Sequence, residues 1–258
     1  MSGIRMFASV VIALGACATA DNGGGGNGNV DAPGNNNVDA PGGGNVDAPG
    51  TSVDAPVTPI DAPGGTIDAA LQTITLSQGT NTITALNTVS CNAGGVTAEN
   101  SYYRVFQLSS FGVVRPFTAQ RVDFGVETAD AEVGTSQTVQ IRLYTLSGAF
   151  ITSNLTNVAG QNVTVADTAA GVVVPVALSP APVIQPNATL VAEIFIPDGD
   201  VDNNNVGNII FVGSNTAAET GPSYIRAPDT GCAITQPTTA AAAGFPNMHV
   251  VLTVTGVF

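Results

Sequence analysis

Apolar and polar residues alternate along most of the chain that follows Ala69, as they do in strands that bury one face. The alternation is clearest over residues 121–127, 138–143 and 248–255. Further extended segments are predicted at residues 71–76, 80–86, 102–108, 171–178, 189–196 and 208–212. No stretch of about ten residues has the period of a helix, and residues 239–243 allow one helical turn before Gly244 and Pro246 end it.

Many short strands separated by Gly, Pro and Asn turns, without helices, are typical of an antiparallel β-sandwich. We therefore predict an all-β fold for residues 69–258, an antiparallel β-sandwich of jelly-roll type. This segment of 190 residues is long enough to bury one sizeable core.

The N-terminus has the pattern of a secretory signal peptide over residues 1–16. Arg5 is followed by an apolar run over residues 6–14, which is too short for the roughly 20 residues that a membrane-spanning helix needs. Residues 14–17 read Leu-Gly-Ala-Cys and resemble a bacterial lipobox. The resemblance implies that Cys17 is lipidated, and two acyl chains suffice for stable anchoring. Plain secretion after cleavage at Ala16 is the alternative.

The resemblance also implies a compartment. No aspartate follows Cys17, because the next residue is Ala18. This favours an outer-membrane lipoprotein of the cell envelope, facing the periplasm or exposed at the cell surface.

Residues 17–68 carry the predicted lipidated cysteine and then a tether rich in Gly, Asn, Asp and Pro. A Val/Ile-Asp-Ala-Pro unit recurs at residues 30–33, 38–41, 46–49, 53–56 and 60–63. Such a segment lacks the apolar surface needed to offset its ordering entropy, so we expect it to be disordered and to act as an extended spacer. The reiterated Asp-Ala-Pro unit resembles the tethers of myxobacterial surface lipoproteins.

The charge balance excludes several partners and mechanisms. The formal net charge is −13 and the chain has six basic residues, all arginine. Nucleic acid is therefore not an expected partner, because its binding depends on Lys/Arg neutralisation of phosphates. The absence of lysine also excludes a Schiff base and a P-loop phosphate site.

The three cysteines give an independent test of the N-terminal interpretation. An odd number leaves one unpaired thiol in an oxidising compartment. Lipidation of Cys17 would leave Cys91 and Cys232 as a pair, and we predict a disulfide between them. Two buried free thiols are the alternative.

Several segments of the C-terminal region resemble a β-sandwich module that recurs in secreted and surface-attached bacterial proteins, sometimes beside hydrolase domains. They are residues 100–113, 139–150, 190–199, 211–238 and 244–256. The resemblance implies the same fold and brings no catalytic or ligand-binding residues with it. We expect a lipid-anchored envelope protein whose sandwich is not an enzyme and has a binding or structural role. A carbohydrate-binding or hydrolase-accessory domain acting at polysaccharide surfaces is the alternative.

One loop has alternating carboxylates that could hold calcium. Asp198, Asp200 and Asp202 follow an apolar strand, and alternate oxygens are what a calcium loop uses. The EF-hand pattern fails, because Asn203 and Ile209 stand where it needs Gly and Glu. A looser calcium site is one hypothesis, and a solvated polar turn is the other. No other cofactor is expected.

The sequence also contains weak signals for catalysis. Residues 229–231 read Asp-Thr-Gly, the aspartic-protease triplet, but occur once and are interpreted as a turn beside the disulfide. His249 is the only histidine, so it cannot form a two-histidine zinc site within one chain. Glu127 and Glu193 both lie on predicted strands, and the sequence leaves open whether they form a glycosidase pair.

Tyrosines are the candidates for contacts with a sugar ligand. Tyr102 and Tyr103 are adjacent on a predicted strand, so they point to opposite faces and one is expected to face solvent. Tyr224 lies in a turn-rich region. These rings would stack on the sugars of a cell-surface glycan. An envelope protein is the alternative partner. The alternative role of the tyrosines is to close the edges of the core.

Overall fold

The computed structural model describes residues 70–93, 95–200 and 207–258. The predicted signal peptide, Cys17, the tether up to residue 68 and Asp202 lie outside the described residues. Within the described residues there is no α-helix, only short 3₁₀ turns at Leu108–Phe111, Thr152–Asn154 and Asp167–Ala169. The strands, numbered in chain order, are β1 (Thr73–Leu76), β2 (Asn92–Ala93), β3 (Val96–Thr97), β4 (Asn100–Gln107), β5 (Phe117–Asp130), β6 (Ser136–Leu146), β7 (Leu155–Ala166), β8 (Val172–Ala177), β9 (Val183–Ile184), β10 (Thr189–Ile196), β11 (Ile209–Val212), β12 (Ser214–Asn215), β13 (Tyr224–Ala227), β14 (Ile234–Thr239), β15 (His249–Val250) and β16 (Leu252–Val257).

Two six-stranded antiparallel sheets make up the sandwich. In the first sheet β1 pairs with β16, and β16 pairs with the long strand β5. Further along the same edge β5 pairs with β11, and its opposite edge pairs with β8 and β9. The second sheet runs β14-β13-β4-β10-β6-β7. The short strand pairs β2–β3 and β12–β15 lie outside these two sheets.

The strand pairing is that of a jelly roll. Eight strands, taken in chain order as β1, β4, β5, β6, β7, β8, β10 and β16, pair as first with eighth, second with seventh, third with sixth and fourth with fifth. This is the pairing of one long hairpin rolled into two sheets. The prediction of an all-β antiparallel sandwich of jelly-roll type is confirmed.

The core lies between the two sheets and follows the alternation in the sequence. From the first sheet it takes the inward residues of β5, such as Val122, Phe124 and Val126, which are fully buried. From the second sheet it takes residues such as Ile141 and Leu190. The intervening residues of each strand therefore face outward, because successive side chains alternate across a strand.

Two glycines allow three backbones to meet beside β5 in the first sheet. The amide of Gly213 donates to the carbonyl of Gly125 at 2.6 Å, and the amide of Gly125 donates to the carbonyl of Val251 at 2.9 Å. A Cβ on Gly125 would lie 2.8 Å from the Cα of Gly213. A side chain at position 125 would therefore force the strands apart.

The disulfide between Cys91 and Cys232 is present, with Cα atoms 6.1 Å apart. It joins the segment before β2 to the turn between β13 and β14. The side chain of Asn100 holds the same segment, since its Oδ1 accepts from the amide of Cys91 at 2.9 Å and its Nδ2 donates to the Cys91 carbonyl at 3.0 Å. The predicted pairing is confirmed.

The structure departs from the predicted elements in a few places. Residues 80–86, predicted as extended, form no strand; the amide of Thr84 donates to the carbonyl of Ser214, and the side chain of Asn215 binds the carbonyls of Thr80 and Thr82. Strands β7, β13 and β14 were not predicted. The pairing of β6 with β7 shifts register at Leu143/Tyr144, and such a bulge interrupts the period of two.

Candidate functional site

The outer face of the second sheet carries a row of polar and aromatic residues across its middle strands. Tyr224, Tyr103, Glu193, Arg142 and Gly160 are successive cross-strand partners from β13 to β7. Directly opposite residues share a face, and the neighbours of Glu193 along β10 belong to the core. The row therefore lies on the side of the sheet that faces away from the core.

Glu193 is a buried carboxylate held by two neighbours on β6. Its side chain is 3% exposed, although it lies on the outer face. The hydroxyl of Tyr144 donates to Glu193 Oε2 at 2.7 Å, and Arg142 Nη1 lies 3.5 Å from the same oxygen. A buried carboxylate needs such donors, because an unpaired buried charge is costly.

Arg142 lies over an aromatic ring. Its guanidinium carbon is 3.7 Å from the ring centroid of Phe195, which is the distance of a cation–π contact. Its Nε and Nη2 donate to Gln140 Oε1 at 2.9 and 2.5 Å. These contacts fix the plane of the guanidinium, so it is preorganised and not free to rotate. We call Gln140, Arg142, Tyr144, Glu193 and Phe195 the β6–β10 patch.

Partial or full burial disfavours ionisation of the tyrosines on this face. Burial, together with the charge of Glu193, raises the pKa of Tyr144 to about 12. The same two causes raise the pKa of Tyr103, and burial alone raises that of Tyr224. Desolvation disfavours the phenolate in each case, so all three act as neutral hydroxyls near neutral pH.

The prediction that Tyr102 or Tyr103 faces solvent is wrong. Tyr102 is 1% exposed, lies in the core and donates its hydroxyl to the carbonyl of Val89 at 2.9 Å, and burial raises its pKa. Tyr103 points to the outer face but is 2% exposed, because Phe150 packs edge-on against it with centroids 5.4 Å apart. Phe150 also packs edge-on against Tyr224, which stays partly exposed.

A loop between β6 and β7 provides this cover. It crosses toward β14, where Gln236 Oε1 accepts from the amide of Thr152 at 2.9 Å and from its hydroxyl at 3.1 Å. The sequence gives no signal for this contact, since it depends on where a distant loop lies.

Glu127 and Glu193 lie in different sheets and have different partners. Glu127 lies on β5 of the first sheet and Glu193 on β10 of the second. Glu127 accepts from the amides of Leu86 and Thr88 at 2.8 and 3.1 Å, whereas Glu193 accepts from the hydroxyl of Tyr144.

A second polar cluster, inside the sandwich, was not found from the sequence. Arg104 is 2% exposed, and its Nε and Nη2 donate to the carbonyl of Val250 at 3.0 and 2.8 Å. Its Nη1 donates to Glu219 Oε2 at 2.6 Å and to the carbonyl of Gly221 at 2.7 Å. Burial lowers the pKa of Arg104, and the charge of Glu219 opposes that change. The signal in the sequence is an arginine in the inward phase of β4.

His249 borders this cluster without forming a catalytic triad. Its Nδ1 contacts the carbonyl of Ala217, and its Nε2 lies 3.2 Å from the carbonyl of Pro246 and 3.8 Å from Glu219 Oε1. The nearby Ser223 hydroxyl donates to Glu219 Oε2 at 3.1 Å and accepts from the amide of Val250 at 2.8 Å. These contacts fasten the segment before β13 to β15.

The remaining sequence candidates have local roles. Asp198 is exposed, and its Oδ1 accepts from the amide of Asp200 at 3.0 Å, as in a polar turn. Since Asp202 is not described, the calcium hypothesis stays a prediction; no group of three or more metal-ligating His, Cys, Asp or Glu occurs among the described residues. Asp229 Oδ1 accepts from the amide of Gly231 at 2.8 Å, so the Asp-Thr-Gly triplet is a turn next to the disulfide.

Comparisons of the chain with protein-family models, curated proteins and solved structures find no match. Across the part of the chain that the structure describes, no helix has the length and apolar character to cross a membrane.

Proposed function

We propose that this protein is a lipid-anchored protein of the cell envelope, held at the outer membrane through Cys17. A disordered acidic tether carries a β-sandwich that has a binding or structural role and is not an enzyme. This proposal joins the lipobox resemblance at residues 14–17 to the composition of residues 17–68.

The observation that carries the proposal is the Cys91–Cys232 bridge. The chain has three cysteines, and the bridge pairs two of them in a domain that begins far from the N-terminus. Cys17 therefore remains as the cysteine without a disulfide partner within the chain. A disulfide supports an oxidising compartment, and lipidation at Cys17 would leave no free thiol there.

The outer face of the second sheet supports a binding role. Here a buried carboxylate, a stacked guanidinium and an amide are fixed by one another in the β6–β10 patch. The fold itself does not need such a network on an outer face. A preorganised polar surface loses less conformational entropy when it binds a ligand. The non-enzymatic part of the proposal is supported by the contacts of His249, whose two ring nitrogens both lie against backbone carbonyls.

Membrane fractionation of the native host, with wild type and Cys17→Ser compared, tests the anchor. The wild type should sediment with the outer membrane and partition into detergent, because two or more acyl chains anchor stably. The Cys17→Ser variant should lose acylation and leave the outer-membrane fraction. Equal outer-membrane sedimentation of both proteins would contradict the proposal.

A further inference from the structure

We infer that the β6–β10 patch, together with Asn162 on the neighbouring strand β7, binds an uncharged polysaccharide. The inference rests on the proposed binding role of the domain and names its ligand class. It places the ligand on the outer surface of β10, β6 and β7, and not on the tyrosines that the sequence suggested.

Hydrogen-bond donors in the patch remain available to a ligand. A guanidinium has five N–H donors, and Arg142 uses three of them on Gln140 Oε1 and Glu193 Oε2. Two donors are left on a group that is 26% exposed. Gln140 accepts both Arg142 bonds through Oε1, so its amide nitrogen keeps two donors of its own.

The surface beside these donors is open at Gly160. Gly160 is the cross-strand partner of Arg142 on β7, and a Cβ built there meets no atom within 4 Å. Asn162, the partner of Gln140, is exposed. The guanidinium of Arg142 lies 3.7 Å from the ring centroid of Phe195, and no side chain at position 160 blocks an extended chain of sugar rings beside it.

Charge decides between neutral and acidic ligands. The positive charge of Arg142 lies 3.5 Å from the carboxylate of Glu193, so the patch itself is close to neutral. The region from residue 69 to 258 has 12 acidic residues and 5 arginines, which gives 5 − 12 = −7. This negative field repels acidic polymers, whereas the hydroxyl oxygens of an uncharged polysaccharide accept from guanidinium and amide N–H groups, and its hydroxyls donate to an amide oxygen such as that of Asn162.

The full-length protein, purified in detergent, is tested for co-sedimentation with insoluble cellulose, mannan and α-glucan. Soluble alginate serves as the acidic probe, and binding to it is measured as slower migration of the protein in a native gel that contains alginate. Retention on at least one neutral polysaccharide that persists in high salt supports the inference, because salt screens ionic contacts and not neutral hydrogen bonds. Retention on none of the neutral probes, or binding to alginate alone, overturns it.

Matched variants locate the site. Gln140→Ala removes a partly exposed amide of the patch, and Gln120→Ala is the same change at an exposed position of β5 in the first sheet. Gly160→Phe places a ring beside Arg142 without touching the core. We expect the affinity for the retained polysaccharide to fall about tenfold in Gln140→Ala and by more in Gly160→Phe. The affinity of the Gln120→Ala control should be unchanged.

Separate measurements distinguish a loss of folding or of anchoring from a loss of binding. A thermal unfolding scan of each variant shows whether the fold persists, and wild-type retention in both patch variants would overturn the location of the site. Because binding is measured in detergent, a Cys17→Ser protein should bind as the wild type does. Failure of the wild-type protein to sediment with the outer membrane of the host would therefore contradict the proposed function and leave the polysaccharide result standing.

Discussion

Removing the Cys91–Cys232 bridge should lower the stability of the sandwich by a large and calculable amount. The perturbation is the double variant Cys91→Ala with Cys232→Ala, compared with wild type under non-reducing conditions. The native fold should persist, because the side chain of Asn100 still binds both backbone groups of residue 91. The effect should therefore come mainly from the unfolded chain, which gains conformations that the bridge forbids.

The magnitude follows from the loop that the bridge closes. The sequence separation is 141 residues, for which the chain-entropy relation gives about 17 cal/mol/K, or about 5 kcal/mol near room temperature. This is an upper value for the fall in the free energy of unfolding, since unfolded chains retain some structure. We expect a loss of about 3 to 5 kcal/mol.

Urea denaturation of both proteins, followed by far-ultraviolet circular dichroism, measures this change. The denaturation midpoint should fall and the slope m should rise, because a chain without the cross-link exposes more surface when it unfolds. Wild type treated with a reductant is the control and should match the double variant. A loss below about 1 kcal/mol with an unchanged slope would refute the reasoning that the bridge acts by restricting the unfolded chain.

Three further predictions concern the sheets and the polar clusters. Glu219→Gln should lower the free energy of unfolding by about 2 to 3 kcal/mol, measured by chemical denaturation, because the buried charge of Arg104 loses its ionic partner; a neutral result would mean that the backbone carbonyls suffice. Gly125→Ala should cost about 1 to 3 kcal/mol through its 2.8 Å approach to Gly213, whereas the control Gly160→Ala, with open space around it, should be neutral or slightly stabilising; equal effects in a denaturation series would contradict the close-approach argument. The pKa of Tyr144 is raised from 10.0 to about 12, so the unfolded protein ionises first and stability should be full below pH 10 and fall as the pH rises toward 12. Absorbance titration of the phenolate, with Tyr144→Phe for assignment, checks this, and ionisation of that residue near pH 10 in the folded protein would count against its burial beside Glu193.

Alternation of apolar and polar residues was sufficient to predict the longer strands that have no bulge in their pairing. Residues 189–196 were predicted as a strand and form β10, the centre of the second sheet. The prediction missed β7, because a bulge in its pairing with β6 interrupts the period of two. Its failure at residues 80–86 has a different cause, since that segment is held by single contacts to the two-residue strand β12, through the carbonyl of Ser214 and the side chain of Asn215.

The candidate site was harder to predict, because its character depends on contacts between distant segments. Tyr103 is the outward member of the Tyr102–Tyr103 pair, but a loop carrying Phe150 buries it. Glu193 and Arg142 were separate charges in the sequence and become partners only when β10 pairs with β6. Arg104 could have been flagged by its inward phase, but its partner Glu219 lies 115 residues away.

The most direct test of the account is mass spectrometry of the mature N-terminal peptide, isolated from the native host. The account predicts that the peptide begins at Cys17 and carries a diacylglyceryl group on the sulfur and an acyl chain on the amine. An unacylated N-terminus, or a mature chain that still contains residues before Cys17, would contradict it.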